Sequence, residues 1–151
     1  MAHISYDKDA DLSIVKGKTV AIVGYGIQGR GQALNLRDSG VNVIVAQRPG
    51  GPNYAIAKQD GFKPVSASEA AAKADVIIML AQDMLQGDIY QEAIAKHLKP
   101  GKALGFSHGF AILYGLVAPP KNVDVVMVAP KGPGSLVRSQ FSTRASPALR
   151  P

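Results

Sequence analysis

The chain has 151 residues, 46% hydrophobic and 19% charged, and its 17 Lys+Arg against 11 Asp+Glu give a formal net charge of +6. That length makes one domain able to bury about 70% of its unfolded surface, and the absence of Cys excludes a disulfide framework, a thiolate nucleophile and a Cys-ligated zinc. The longest apolar run, Val76 to Ala81, is too short to span a bilayer, and the Asp-containing N-terminus up to Lys18 lacks the apolar core of a secretory signal.

In chain order, Lys18 to Val23 (KTVAIV) is a β-branched run ending in Gly24, the pattern of a buried parallel strand. Gly29 to Asp38 places Ala33, Leu34 and Leu36 on helical spacing, and Ser39-Gly40 closes it. Val41 to Ala46 predicts a second strand, followed by the Gly/Pro-rich stretch Arg48 to Asn53 and a short helix over Tyr54 to Asp60. Ser66 is an N-cap for an alanine-rich helix reaching Lys73, and Ala74 to Ala81 is a strongly apolar strand. Asp83 is placed to cap an amphipathic helix from Met84 to Leu98, which Lys99-Pro100-Gly101 ends. Lys102 to Phe106 and Asp124 to Ala129 predict two more strands, and a last helix begins within Pro133 to Arg138.

Strands alternating with short helices imply right-handed crossovers and an open sheet. The expected fold is doubly wound α/β of the Rossmann type, mostly parallel. The domain is expected over residues 1–141, with 142–151 as an irregular tail. The surplus charge is concentrated late, at Lys131, Arg138, Arg144 and Arg150, and nowhere forms a dense basic cluster interleaved with aromatics. Neither nucleic acid nor membrane is expected as a partner. The expected setting is cytoplasmic.

Gly24-Tyr25-Gly26-Ile27-Gln28-Gly29 fits G-x-G-x-x-G, and what lifts it above chance is a predicted strand before it and a predicted helix after it. In that setting Gly24 permits the tight turn, Gly26 lets backbone approach a pyrophosphate, and Gly29 lets helix and strand pack closely. The helix N-terminus adds unsatisfied N–H groups and partial positive charge. The competing reading is a glycine-rich turn with no ligand. Past the second strand, Ala46 to Gly51 (AQRPGG) carries Arg48 and no carboxylate. A carboxylate there binds the ribose 2′-OH of NAD, whereas a cation suits the 2′-phosphate of NADP. NADP(H) is therefore expected, with Arg48 offering planar charge-assisted bonds, against the alternative of a solvated loop arginine.

The run VGYGIQGRGQALNLRDSG (residues 23–40), with LGFSHGF (104–110) and VAPKGPG (128–134), resembles the ketol-acid reductoisomerases, in the same order along nearly the whole chain. The resemblance implies a Mg²⁺-dependent alkyl shift with NADPH reduction, converting 2-acetolactate or 2-aceto-2-hydroxybutyrate to the dihydroxy acid in valine and isoleucine biosynthesis. It also implies a Rossmann domain for the nucleotide and a C-terminal helical domain for the acidic Mg²⁺ ligands, of which only the first corresponds to this chain. Family members homo-oligomerise largely through that helical domain, so a monomer or weak dimer is expected here.

Residue by residue, the resemblance gives Tyr25, Gly26, Ile27 and Gln28 the dinucleotide loop and Arg48 the adenosine phosphate. It gives Asp83, Met84, Leu85 and Gln86 a loop lining the cofactor. His108 corresponds to the active-site histidine, Lys131 to a lysine near substrate and metal, and Gly134 to a backbone contact with the nucleotide. Two positions depart from the pattern. Gly51 stands where many members carry a Ser toward the 2′-phosphate, leaving that contact to backbone or to Asn53, and Ala81-Gln82-Asp83 replaces the commoner Leu-Pro-Asp.

Of three histidines, His3 lies in the terminal segment and His97 in the last turn of a predicted helix. His108 follows a strand at the end that faces ligands in open α/β sheets. Its expected task is proton management beside an alkoxide or enolate, or orientation of metal-bound water. Lys131 would add positive charge near a developing oxyanion. Mg²⁺ takes carboxylate and water oxygens, but Asp83 and Asp88 do not share a helix face and no acidic residue follows Asp124. No autonomous metal site is expected, and Mg²⁺ enters only if a C-terminal domain supplies its ligands. A non-catalytic NADP-binding module and a different NADP-dependent Rossmann dehydrogenase are the alternatives.

Overall fold

The computed structural model describes residues 6–145. Val20 to Val23 lose nearly all solvent contact, which places their strand, β1 (Thr19–Val23), at the centre of the sheet. The other strands are β2 (Asn42–Ala46), β3 (Val76–Met79), β4 (Ala103–Phe106) and β5 (Asp124–Met127), all parallel, in the order β2-β1-β3-β4-β5. Ala21 pairs with Ile44 on one side and Ile77 on the other. Val20 and Ile22 enter one core with Leu34, Ala57 and Phe62, while Ala21 and Val23 enter a second with Ala70, Ile77 and Leu104. Both faces of β1 are apolar because both are covered, so the strand reads as an unbroken apolar run.

Helices α2 (Ile27–Asp38) and α3 (Pro52–Gln59) cover the first face, and α4 (Ala67–Lys73) and α5 (Asp83–Ile89) the second. They follow a short α1 (Ser13–Lys16), whose four residues are too few to carry a periodic signal. The chain moves from β1 outward to β2, then returns to β3 on the other side of β1. This doubly wound reversal makes the carboxyl ends of β1 and β3 a topological switch point, where such sheets bind ligands.

Several boundaries differ from expectation for identifiable reasons. Ser66 caps α4 as read, its Oγ accepting from Glu69 N–H at 3.1 Å. Asp83 does not cap α5. Gln82 holds that position without a side-chain bond, and Asp83 is the first helical residue. The helix expected to reach Leu98 breaks into α5, a π-helical segment Tyr90–Ile94 and a 3₁₀ turn Ala95–His97. The widened turn keeps Tyr90 and Ile94 both buried, with Tyr90 Oη donating to Ala118 O at 2.8 Å. A short α6 (Phe110–Leu113) follows β4, too brief to leave a periodic signal.

The last helix, α7 (Gly134–Ala145), packs along α2, where Gly31 admits Val137. Asn35 Nδ2 donates to Val137 O at 3.0 Å, and Arg138 pairs with Asp38 at 2.6 Å. Residues 142–145, read as part of an irregular tail, are therefore helical, and the rest of that tail lies outside the described residues. The edge strand β5 is exposed throughout, Met127 by 61%. Among the described residues no helix is long and apolar enough to cross a membrane.

Candidate functional site

At the end of β1 the backbone turns away at Gly24, whose φ of 101° lies in the left-handed region. A Cβ there would stand 2.7 Å from Ala81 N and 2.8 Å from Leu80 O. Gly29 is equally constrained, since its Cβ would come within 1.9 Å of Gly24 O. These two glycines let α2 start directly against the strand ends. Gly26 differs from both. Its backbone is extended (φ −74°, ψ −164°), and a Cβ would meet nothing within 4 Å. The protein's own packing therefore leaves a space at Gly26 that a side chain would fill. Gly26 also caps α2 with no side-chain acceptor, so the first-turn N–H groups point outward unclaimed by a side chain.

This turn opens onto a cleft of about 620 Å³. Gly24 to Gly26 form one wall, Gln47 to Pro49 with Asn53 a second, Pro64 to Ala67 a third, and Leu80 to Gln82 with Leu85 a fourth. No Asp or Glu is among the described residues that line it. Arg48 is exposed at its edge. Gly51 caps α3 with extended backbone, open space about its Cα, and Pro52 at the first helical position. Of the expected cofactor residues, the cleft gathers Gly24, Tyr25, Gly26, Arg48, Asn53 and Leu85.

Tyr25 contributes backbone only, because its side chain is 1% exposed and turned away from the cleft. Its Oη donates to Asp60 Oδ2 at 2.9 Å, and its ring meets Phe62 edge-on at 5.7 Å. Asp60 also takes a bidentate pair from Arg30 (2.7 and 2.9 Å), while Arg37 donates to its carbonyl. Burial, reinforced by the bond to Asp60, pushes the Tyr25 phenol well above its usual range, so it stays a donor. The Arg30 hydrogen bond holds Asp60 below the usual carboxylate range.

The loop after β3 divides its residues. Met84 and Leu85 are exposed, Met84 by 78%, whereas Gln86 is only 4% exposed. Gln86 was expected at the cofactor, but its side chain is turned inward, with Nε2 donating to Ala81 O at 2.9 Å and Oε1 unpartnered. It shapes the loop from behind. Asp83 Oδ1 instead reaches His108 Nε2 at 2.9 Å, and His108 Nδ1 accepts from Phe110 N–H at 3.3 Å. Ser107, next in line, accepts from Gln32 Nε2 at 3.0 Å, and Gln32 also approaches Gln28. Gly134 sits against this same first turn of α2, where a Cβ would come within 2.7 Å of the exposed Ile27 side chain and 3.1 Å of Gln28. Lys131 is exposed on the loop between β5 and α7. Asp83 and His108 are a single carboxylate and an imidazole, not the multi-oxygen set Mg²⁺ takes. Among the described residues no three His, Asp or Glu side chains group to hold a metal.

Residues 14–149 match the acetohydroxy acid isomeroreductase NADPH-binding domain. The chain belongs to that family. It is 55% identical over 150 residues to the ketol-acid reductoisomerase (NADP(+)) of Pyrobaculum neutrophilum, covering 99% of this chain and 46% of that protein. The enzyme of the same name from Pyrobaculum islandicum is also 55% identical, with 45% of its length covered. The solved NADH-preferring ketol-acid reductoisomerase from an uncultured archean superposes with a TM-score of 0.88 at 44% identity, over 93% of this chain and 44% of that one. The chain thus spans about 46% of the length of its curated relatives. A semialdehyde dehydrogenase NAD-binding protein from Cupriavidus necator, with a TM-score of 0.64 at 24% identity, shares the fold.

Within this isomeroreductase domain two residues outside the expected site set, Asp60 and Gln47, position the turn. Asp60 anchors Tyr25 from the end of α3, and nothing local marks it. Gln47 had a usable signal, since it stands in the stretch scanned for a ribose-binding carboxylate.

Proposed function

We propose that this chain holds NADP(H) across the carboxyl ends of β1, β2 and β3, as the nucleotide half of a ketol-acid reductoisomerase acting on 2-acetolactate or 2-aceto-2-hydroxybutyrate in valine and isoleucine biosynthesis. The observation that carries the reading is the vacant space at Gly26, framed by two glycines that packing does require and opening on the first turn of α2. That is the shape a pyrophosphate needs: backbone donors, partial positive charge and no Cβ in the way.

When bound, NADPH supplies the hydride of the reduction. The chain's own residues do the rest of the local work. First-turn N–H groups of α2 take the pyrophosphate, and Arg48, with backbone at Gly51 and the Asn53 side chain, takes the 2′-phosphate. One solved relative is described as NADH-preferring. For this chain the lack of a carboxylate among the described residues that line the cleft, with Arg48 at its edge, favours the phosphorylated nucleotide. Met84 and Leu85 shield the bound cofactor from water. The His108–Asp83 pair holds the proton that is exchanged with an oxygen of the substrate when their hydrogen bond opens to it, and Lys131 adds positive charge where negative charge develops. Mg²⁺ ligation needs carboxylates that these residues do not group, so nucleotide binding without turnover is the expected behaviour of this chain.

Titrating the chain with NADPH and with NADH by nicotinamide fluorescence tests the reading, followed by an acetolactate turnover assay with Mg²⁺ present. Saturable binding with NADPH favoured is expected. Binding of neither nucleotide at millimolar concentration overturns it, and turnover by the chain alone overturns the division of labour.

A further inference from the structure

The β1–β2 ladder ends with Gly24 N–H donating to Ala46 O at 2.9 Å. One residue later the strands diverge, because Gly24 has turned the chain away, and the Tyr25 N–H has no main-chain acceptor opposite it. Gln47 fills the gap. Its Oε1 accepts from Tyr25 N–H at 2.8 Å, a side-chain rung continuing the ladder past both strand ends. The Gln47 backbone is itself fixed, its N–H donating to Val65 O at 3.2 Å beside the Ala46–Val65 bridge.

We propose that Gln47 is a positioning and specificity-determining residue, whose side chain clamps the glycine-rich turn to β2 and presents an amide donor to the ribose. The inference rests on the nucleotide-binding reading above. An amide has one acceptor and one donor group. With Oε1 committed to Tyr25, the group left over at the wall of the cleft is the Nε2 donor, which no other described residue engages. A donor there suits a 2′-phosphate, which only accepts, whereas a carboxylate would suit the 2′-OH of NAD. Tyr25 is thus fastened twice, by its amide to Gln47 and by its phenol to Asp60.

Two variants of the 151-residue chain separate the parts of this proposal. Gln47→Glu keeps an acceptor for Tyr25 N–H but replaces the donor with negative charge. It should lower the ratio of NADPH to NADH affinity by about tenfold or more. Gln47→Leu removes the acceptor, and should weaken both nucleotides and speed hydrogen exchange of the Tyr25 amide in the unliganded protein, an exchange that Gln47→Glu leaves slow. An unchanged affinity ratio in Gln47→Glu overturns the specificity role, and unchanged Tyr25 exchange in Gln47→Leu overturns the clamp. If the wild-type chain binds neither nucleotide, the functional reading and the specificity role fall together, while the Tyr25 exchange still decides the clamp.

Discussion

His108 Nε2 lies 2.9 Å from Asp83 Oδ1, joining the end of β4 to the loop that follows β3. Phe110 N–H donates to the other ring nitrogen, so in the neutral imidazole the proton sits on Nε2. Asp83→Ala removes the shorter of the two contacts that favour this tautomer, leaving only the 3.3 Å bond from Phe110 N–H. The ¹⁵N shifts of the His108 ring should show Nε2–H dominating in the wild-type chain and a tautomer mixture in the variant. Stability should change by less than about 1 kcal/mol, because both side chains are substantially exposed. An unaltered tautomer would remove Asp83 from this role.

Gly29 and Gly26 should separate folding from binding. Gly29→Ala drives a methyl into Gly24 O, a backbone atom that cannot yield cheaply, and should cost more than about 2 kcal/mol of stability. Gly26→Ala meets nothing in the protein and should keep its melting temperature while losing most NADPH affinity. Thermal melts and nucleotide titrations on both variants check this. A Gly26→Ala variant that binds NADPH normally contradicts the pyrophosphate assignment.

Arg48→Asp replaces a phosphate partner with a like charge. Hydrogen bonds to charged groups contribute roughly 1.5–3 kcal/mol, so NADPH affinity should fall by about ten- to a hundredfold while NADH changes little. An equal loss for both cofactors, measured by fluorescence titration, counts against the assignment.

Acid should reveal the Tyr25–Asp60–Arg30 anchor. Asp60 ionises below its ordinary value of 3.8 in the folded chain. Its stabilisation is therefore complete above that value and disappears as pH falls through the lower folded one. Asp60→Asn keeps an acceptor but never ionises, so it should cost about 0.5–1 kcal/mol at neutral pH, the half-exposed Arg30 limiting the effect. The gap in melting temperature between wild type and variant should hold down to about pH 4 and close below it. A gap independent of pH would mean the ion pair contributes nothing.

Isothermal titration with Mg²⁺ should show no micromolar binding to the chain, since Asp83 and His108 offer one carboxylate and one imidazole. Tight binding would contradict the expected need for carboxylates from elsewhere.

Much of the fold was legible. β1 announced itself as a β-branched run, Ser66 as a cap three residues before Glu69, and the glycine fingerprint as a strand-to-helix turn, because each is encoded within a few consecutive residues. The long helix after Asp83 was not, since its break is set by what Tyr90 and Ile94 must cover rather than by their own propensities. Asp83 looked like a cap by composition, and became a partner of His108 only because β3 and β4 run side by side.

The sequence by itself determined the alternation of strands and helices, the glycine turn, and the cation-without-carboxylate chemistry beyond β2, all of which are local. The tertiary structure decided which way side chains face. It buried Tyr25 and Gln86, although both sit in loops expected to line the cofactor, and it brought Gln47 to Tyr25 and Asp60 to Arg30 across 22 and 30 residues of chain. Periodicity reports the face of one element. The meeting of strand ends at the switch point depends on how several elements wind about β1, and that is settled only when the sheet forms.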